Sequence, residues 1–264
     1  MWRFSCSIMT LVGSAFVLGA QSLIAQPAGP VAPPGVAGAA ARGDSLMAAF
    51  DTEGAIAAYR AGLARQPDDV ELAIRLARTL TNLAEERPGE DGDEALYEEA
   101  VDLSRRAVRR APNLSRAHST LAAALGRHAL FQGGRRKVEL AREVYHEAER
   151  GAALDPNDYR SFIVLGAWHR EVATLNFFLR GVAKTFLGGL PDASLERSAA
   201  ALERARRLEP GIIFTHLELA RTYAEMDRED AALREIERAL ALPPREQLDR
   251  VLKDQARELR DEIS

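Results

Sequence analysis

At 264 residues, 47% apolar and 28% charged, the chain has the balance of a soluble globular protein with enough material for a sizeable core. A formal charge of -4 excludes the broad basic surface that non-specific nucleic-acid binding needs. The single cysteine, Cys6, lies near the N-terminus, so the rest of the chain can form no disulfide and no cysteine-ligated zinc site. Ala, Leu, Arg and Glu dominate while β-branched residues are sparse, which predicts helices throughout.

Residues 1–25 open with Met-Trp-Arg and continue as an apolar run from Ile8 to Ala20, with small residues at Ala20 and Ala25. This is the pattern of a signal peptide, with an uncleaved N-terminal anchor as the alternative. Either makes the protein exported, periplasmic or membrane-associated. Residues 26–42 are rich in Pro, Gly and Ala and read as an extended linker that cannot build a core. Residues 43–264 are expected to form the folded domain.

That domain is punctuated by Pro67, Pro112, Pro156, Pro210 and Pro244, each ending a helical run. Nine residues after each of the first four comes a leucine (Leu76, Leu121, Leu165, Leu219), followed by a small residue (Ala77, Ala122, Gly166, Ala220). Five residues before the prolines stand Gly62, Ala107, Gly151, Ala205 and Ala239, small enough for two helices to cross closely. This resembles the tetratricopeptide repeat, a unit of about 34 residues made of two antiparallel helices. The interval from Pro210 to Pro244 is 34 residues, whereas the earlier ones are 45, 44 and 54. The extra residues fall between the two helices of their units, near Glu86–Asp93, near Arg127–Arg136 and across Val172–Pro191. Such loops emerge on one side of a solenoid, so the three insertions should cluster. Ser45–Ala64 supplies an initial helix pair and Arg245–Ile263 a capping helix.

The third insertion carries the strongest candidate site. Leu175, Phe178, Leu179, Val182 and Phe186 follow helical spacing on one face, while Asn176, Arg180 and Lys184 form a polar stripe. Exposing such an apolar face would forfeit roughly 1.5–3 kcal/mol per large side chain, so something must cover it. Trp168, Leu175, Phe178, Leu179, Val182, Phe186 and Leu187 are therefore candidates to line an apolar groove, or else to fill the space made by a longer repeat. Arg78, Arg180, Lys184 and Arg221 are candidate contacts for an anion or lipid headgroup. On the first helices, the expected groove positions Ile74, Arg78, Ser119, Ala123, Ile163, Ala167, Leu217 and Arg221 contain only two cations, which predicts a largely apolar concave surface.

Arg105, Arg106, Arg109 and Arg110 sit in the last turns of a helix, where cations meet the helix dipole favourably. The five histidines lack the paired spacing of a zinc helix, and no nucleophile elbow, phosphate loop or dinucleotide fingerprint occurs. No enzyme activity, cofactor or metal is expected.

From about His118 onward, the sequence carries more than generic repeat residues. Gly133-Gly134, Arg135-Arg136-Lys137, Leu154-Asp155-Pro156, Leu165-Gly166-Ala167-Trp168, Ala183-Lys184 and Leu208-Glu209-Pro210 together resemble the regulator of microtubule dynamics family. The resemblance implies a tetratricopeptide-like domain behind an N-terminal membrane anchor and association with microtubules. For one member it implies phospholipid held in an apolar groove. The Ala/Arg-rich composition and export-like leader point to a bacterial relative. The expected fold is all-α: a right-handed superhelical solenoid of about five helix pairs with an inserted amphipathic helix and a C-terminal capping helix. The expected function is a non-enzymatic scaffold binding a partner protein through its concave face, with phospholipid or a membrane surface as the alternative partner.

Overall fold

A computed structural model describes residues 36–87, 89, 92–175 and 189–263. Among them are eleven α-helices and no strand: α1 Val36–Ala48, α2 Thr52–Arg65, α3 Val70–Glu86, α4 Asp93–Arg110, α5 Ser115–His128, α6 Gly134–Leu154, α7 Tyr159–Ala173, α8 Leu195–Leu208, α9 Ile213–Glu225, α10 Glu229–Ala241 and α11 Gln247–Ile263. They form five consecutive pairs, α1/α2 to α9/α10, closed by α11. The leader and the insertion helix expected at Asn176–Leu187 lie outside the described residues.

The proline spacing has a direct structural cause. Each of the first four second helices ends two residues before its proline, and the backbone N–H of the residue between, Gln66, Ala111, Asp155 or Glu209, donates to the carbonyl of Gly62, Ala107, Gly151 or Ala205. Proline then offers no donor to continue the helix. Restart is signalled two residues after Pro67 and Pro156, where Asp69 accepts from the Leu72 N–H at 2.8 Å and Asp158 from the Arg160 N–H at 3.2 Å. The small residues lie at helix crossings. A Cβ on Gly151 would come within 2.3 Å of Ser161 Oγ, and one on Gly62 within 2.8 Å of Ala39 Cβ.

The last contact corrects the expected linker. Helix α1 begins at Val36, so residues 36–42 are helical rather than extended. Ala39 is buried against α2, and Gly43 lies where a Cβ would strike the Tyr59 ring at 2.1 Å. The Ala/Gly-rich composition here serves close helix approach.

The first two insertions largely lengthen helices. Helices α3 and α4 have 17 and 18 residues and α6 has 21, against 13 each for α9 and α10 in the unmodified unit. The first two insertions do meet, since Phe131 in the turn Ala129–Phe131 packs on Tyr97 at 5.5 Å and Gln132 hydrogen-bonds Glu94 at 2.8 Å.

Successive units are stitched at the exit prolines. The Pro67 carbonyl accepts from Arg106 on α4, and the Pro156 carbonyl accepts from Arg204 on α8 at 2.8 Å. The Pro112 and Pro210 carbonyls instead meet His118 Nε2 and His216 Nε2, each at 2.9 Å. A cationic or imidazole nitrogen from the following unit thus holds each exit. The opposite ring nitrogens lie 2.6 Å from Glu147 and 2.7 Å from Glu235.

Glu235 is almost wholly buried, with a side chain only 3% exposed. Burial alone would raise its carboxyl, but the His216 hydrogen bond and the Arg206 and Arg238 charges outweigh that and hold it below the ordinary 4.5. Its contribution to stability is therefore full above 4.5 and drains away as pH falls through the lower folded-state value. Glu235→Gln should be less stable than the parent at about pH 7, with the difference narrowing below the carboxylate range. Urea unfolding at a series of pH values measures this, and a constant difference would contradict it.

Helix α11 packs on α9 and α10 and also reaches α3, where Arg78 lies 3.9 Å from Glu246. Beside this contact, Arg250 covers the Phe50 ring at 4.3 Å. The last helix therefore touches the first and second pairs as well as its own neighbours.

Candidate functional site

The first helices α3, α5, α7 and α9 stand side by side and build the inner face. Ile74, Ser119, Ile163 and Leu217, each seven residues after its proline, are buried between helices. The stripe that faces inward instead includes positions 4, 8, 11, 15 and 18 residues after the prolines. Those positions are rich in charge, contrary to the apolar concave surface expected from the sequence.

The charges are paired from one first helix to the next. Arg116 on α5 meets Glu71 on α3, and Arg127 Nε on α5 donates to Glu85 Oε1 on α3 at 2.8 Å. Farther along, Arg170 on α7 reaches Glu218 Oε2 on α9 at 3.0 Å, and Arg221 takes Glu218 Oε1 at 2.6 Å. Arg221 also donates to Gln255 Oε1 of α11 at 2.9 Å, and Arg127 lies 5.4 Å over the Phe214 ring.

Electrostatics distinguishes the two carboxylates. Burial would raise Glu218, yet Arg170, Arg221 and Arg127 together hold it below the ordinary range. Burial does prevail at Glu85, which is pushed up despite Arg127. The guanidinium of Arg127 is stabilised in its charged form against burial by Glu85 and Glu218.

Of the residues singled out in the sequence, Phe178, Leu179, Val182, Phe186, Leu187, Arg180 and Lys184 lie outside the described residues. Trp168 is 5% exposed, packs on Tyr145 at 4.6 Å, and donates its indole N–H to the Ala141 carbonyl at 2.7 Å. Leu175 follows the end of α7, partly buried. Arg78 and Arg221 both lie on the inner face, the first near Glu246 just ahead of α11 and the second bonded to Gln255 on α11. The arginines at the end of α4 are structural: Arg105 pairs with Glu143, Arg106 holds the Pro67 carbonyl and Arg110 pairs with Asp68. Together with Arg109, Arg106 and Arg110 line a cleft of 290 Å³ at that exit.

Sequence reasoning missed Glu85, Arg127, Arg170 and Glu218. A signal was available for three of them, because Glu85, Arg127 and Glu218 fall 18, 15 and 8 residues after Pro67, Pro112 and Pro210, on the same helical stripe, while Arg170 falls 14 after Pro156, one position off it.

Paired helices, proline exits and a shared inner face define a helical repeat protein of the tetratricopeptide class. The crystal structure of TTC0263, a thermophilic TPR protein in Thermus thermophilus, superimposes with a TM-score of 0.62 at 20% identity, covering 83% of this chain and 97% of that one. Within that class the chain belongs to the family of regulator of microtubule dynamics protein 1-3, whose model matches residues 40–264. It is 24% identical over 197 residues to regulator of microtubule dynamics protein 1 of Mus musculus, covering 74% of this chain and 65% of that protein. Similarity to regulator of microtubule dynamics protein 3 of Xenopus laevis is 22% over 184 residues, covering 69% of this chain and 40% of that protein. The chain thus spans less than two thirds of the length of these relatives.

Proposed function

We propose that this protein is a non-enzymatic scaffold whose inner face binds a segment of a partner protein. The family and the fold support protein interaction, and one feature supports the inner face as its place. Arg78 and Arg116 stand on neighbouring first helices with side chains 44% and 42% exposed, and the nearest carboxylate to Arg78 is 3.9 Å away. Charged groups already oriented by neighbours but still open to water suit a polar or acidic segment, whose carboxylates arginine grips in a fork geometry. An apolar peptide would strand those charges.

The test is a photo-crosslinking side chain placed at Ala123, on the inner face, or at Glu149, on the exposed side of α6. Capture of one protein in cells from position 123, lost when Arg78→Glu is added, supports this reading. Capture only from position 149, or capture insensitive to Arg78→Glu, overturns it. Native mass spectrometry of the same preparation should give the mass of the chain without lipid. A retained phospholipid would instead favour the lipid-binding alternative.

A further inference from the structure

The start of α4 and the end of α5 bring together three residues, two of which the sequence leaves far from the third. Glu94 and Glu98 are one turn apart on α4, so both carboxylates lie on one face of that helix. His128 closes α5, and its ring meets them such that one ligand atom from each of the three lies within 4.8 Å of the others. Its Nε2 is 3.9 Å from Glu94 Oε1 and 3.8 Å from Glu98 Oε1. Among the described residues neither carboxylate forms a salt bridge with Arg or Lys, whereas nearby Glu99 pairs with Arg60.

Gln132 bridges the cluster. Its Nε2 donates to Glu94 Oε1 at 2.8 Å and lies 3.2 Å from His128 Nε2. An amide nitrogen only donates, so in this arrangement the His128 Nε2 lone pair is turned to the Gln132 amide, whose place a metal ion would take. The ring proton then sits on Nδ1, which is buried and has no hydrogen-bond partner. Turning the amide over would not relieve this, because its oxygen would face the Glu94 carboxylate. An imidazole Nε2 beside two carboxylates without a salt-bridging cation is a metal-ligand set of mixed nitrogen and oxygen donors.

We propose that Glu94, Glu98 and His128 bind a divalent first-row transition-metal ion of the zinc type. Bonds of about 2.0–2.2 Å around such an ion require donors roughly 3–3.5 Å apart, so the side chains need to close by between a few tenths of an ångström and roughly 1–2 Å. Both glutamates have room to do so, with side chains 50% and 60% exposed. With the cation in place, the Gln132 amide is free to turn and offer its oxygen as a fourth donor. The +2 charge neutralises the carboxylate pair, and the ion clips the start of α4 to the end of α5 beside the exposed Leu130 and Phe131.

Isothermal titration of the full chain with Zn²⁺ in a non-chelating buffer tests this, with the visible spectrum of added Co²⁺ reporting the ligand set. Saturable binding at one site is expected, with Glu98→Gln and His128→Asn each weakening it by about tenfold or more. His146→Asn, which alters an exposed histidine elsewhere on the surface, should leave it unchanged. Absence of saturable binding overturns the proposal, as does binding that both site variants retain at full strength. Because Glu98 is an exposed surface residue, its variant keeps the test decisive even if His128→Asn disturbs the end of α5.

Discussion

Replacing Glu218 by Gln is expected to cost about 3–5 kcal/mol of stability in urea unfolding. The Glu218 side chain is 3% exposed and holds both Arg170 and Arg221, while Arg127 adds a third positive charge to its surroundings. The amide keeps the shape and one acceptor but removes the buried charge that balances Arg170 from α9, leaving that 14% exposed side chain with Glu171 at 2.9 Å as its remaining salt-bridge partner. Losing the most enclosed counter-ion is costly because water cannot reach in to replace it. Arg170→Met added to Glu218→Gln should recover part of the loss, since the stranded charge then disappears as well. By contrast, Arg110→Ala breaks a pair whose side chains are 59% and 67% exposed, and should cost less than about 1 kcal/mol. A loss as small as that for Glu218→Gln would mean that solvent penetrates the inner face freely.

The second large effect concerns the crossing of α7 and α8. A Cβ on Gly166 would stand 2.4 Å from Leu202 Cγ and 2.9 Å from its Cδ2, and Leu202 is fully buried. Gly166→Val therefore forces two packed helices apart and should lose about 1–3 kcal/mol or more. Leu202→Ala, which opens a cavity at the same point, should lose about 2–5 kcal/mol. Combining Gly166→Ala with Leu202→Ala is the discriminating variant, because the added methyl enters the space the leucine leaves. The pair should be at least about 1 kcal/mol more stable than the sum of its parts, by unfolding of all three proteins. Strict additivity would place the two residues in separate packing environments.

The repeat architecture was legible because its markers are local. A proline stops a helix wherever it falls, and Gly62, Gly151 and Gly166 mark close approaches that no larger side chain permits. Helix α1 was not, because Ala and Gly also compose linkers, and only the position of Ala39 against α2 reveals their packing role. The inner face required more still. Whether Ile163 or Arg160 points inward depends on the rotation of α7 against its neighbours, and the sequence fixes that only when the stripe is followed over its whole length. Pairs such as Arg127 with Glu85 then depend on how far one first helix slides past the next. His128 and the two glutamates meet where the end of α5 passes the start of α4, and no periodicity within either helix reports that crossing.

Most solenoids expose two ends, and either end can fray without disturbing the middle. The contact of α11 with α3 removes that independence here. The strip of repeats becomes a circuit in which the final helix secures the opening pairs, so loss of residues 247–263 would loosen α3 as directly as it loosens α9. Hydrogen exchange should accordingly find the early helices protected to the same depth as the late ones, and the protein should melt as one body rather than peel from an edge.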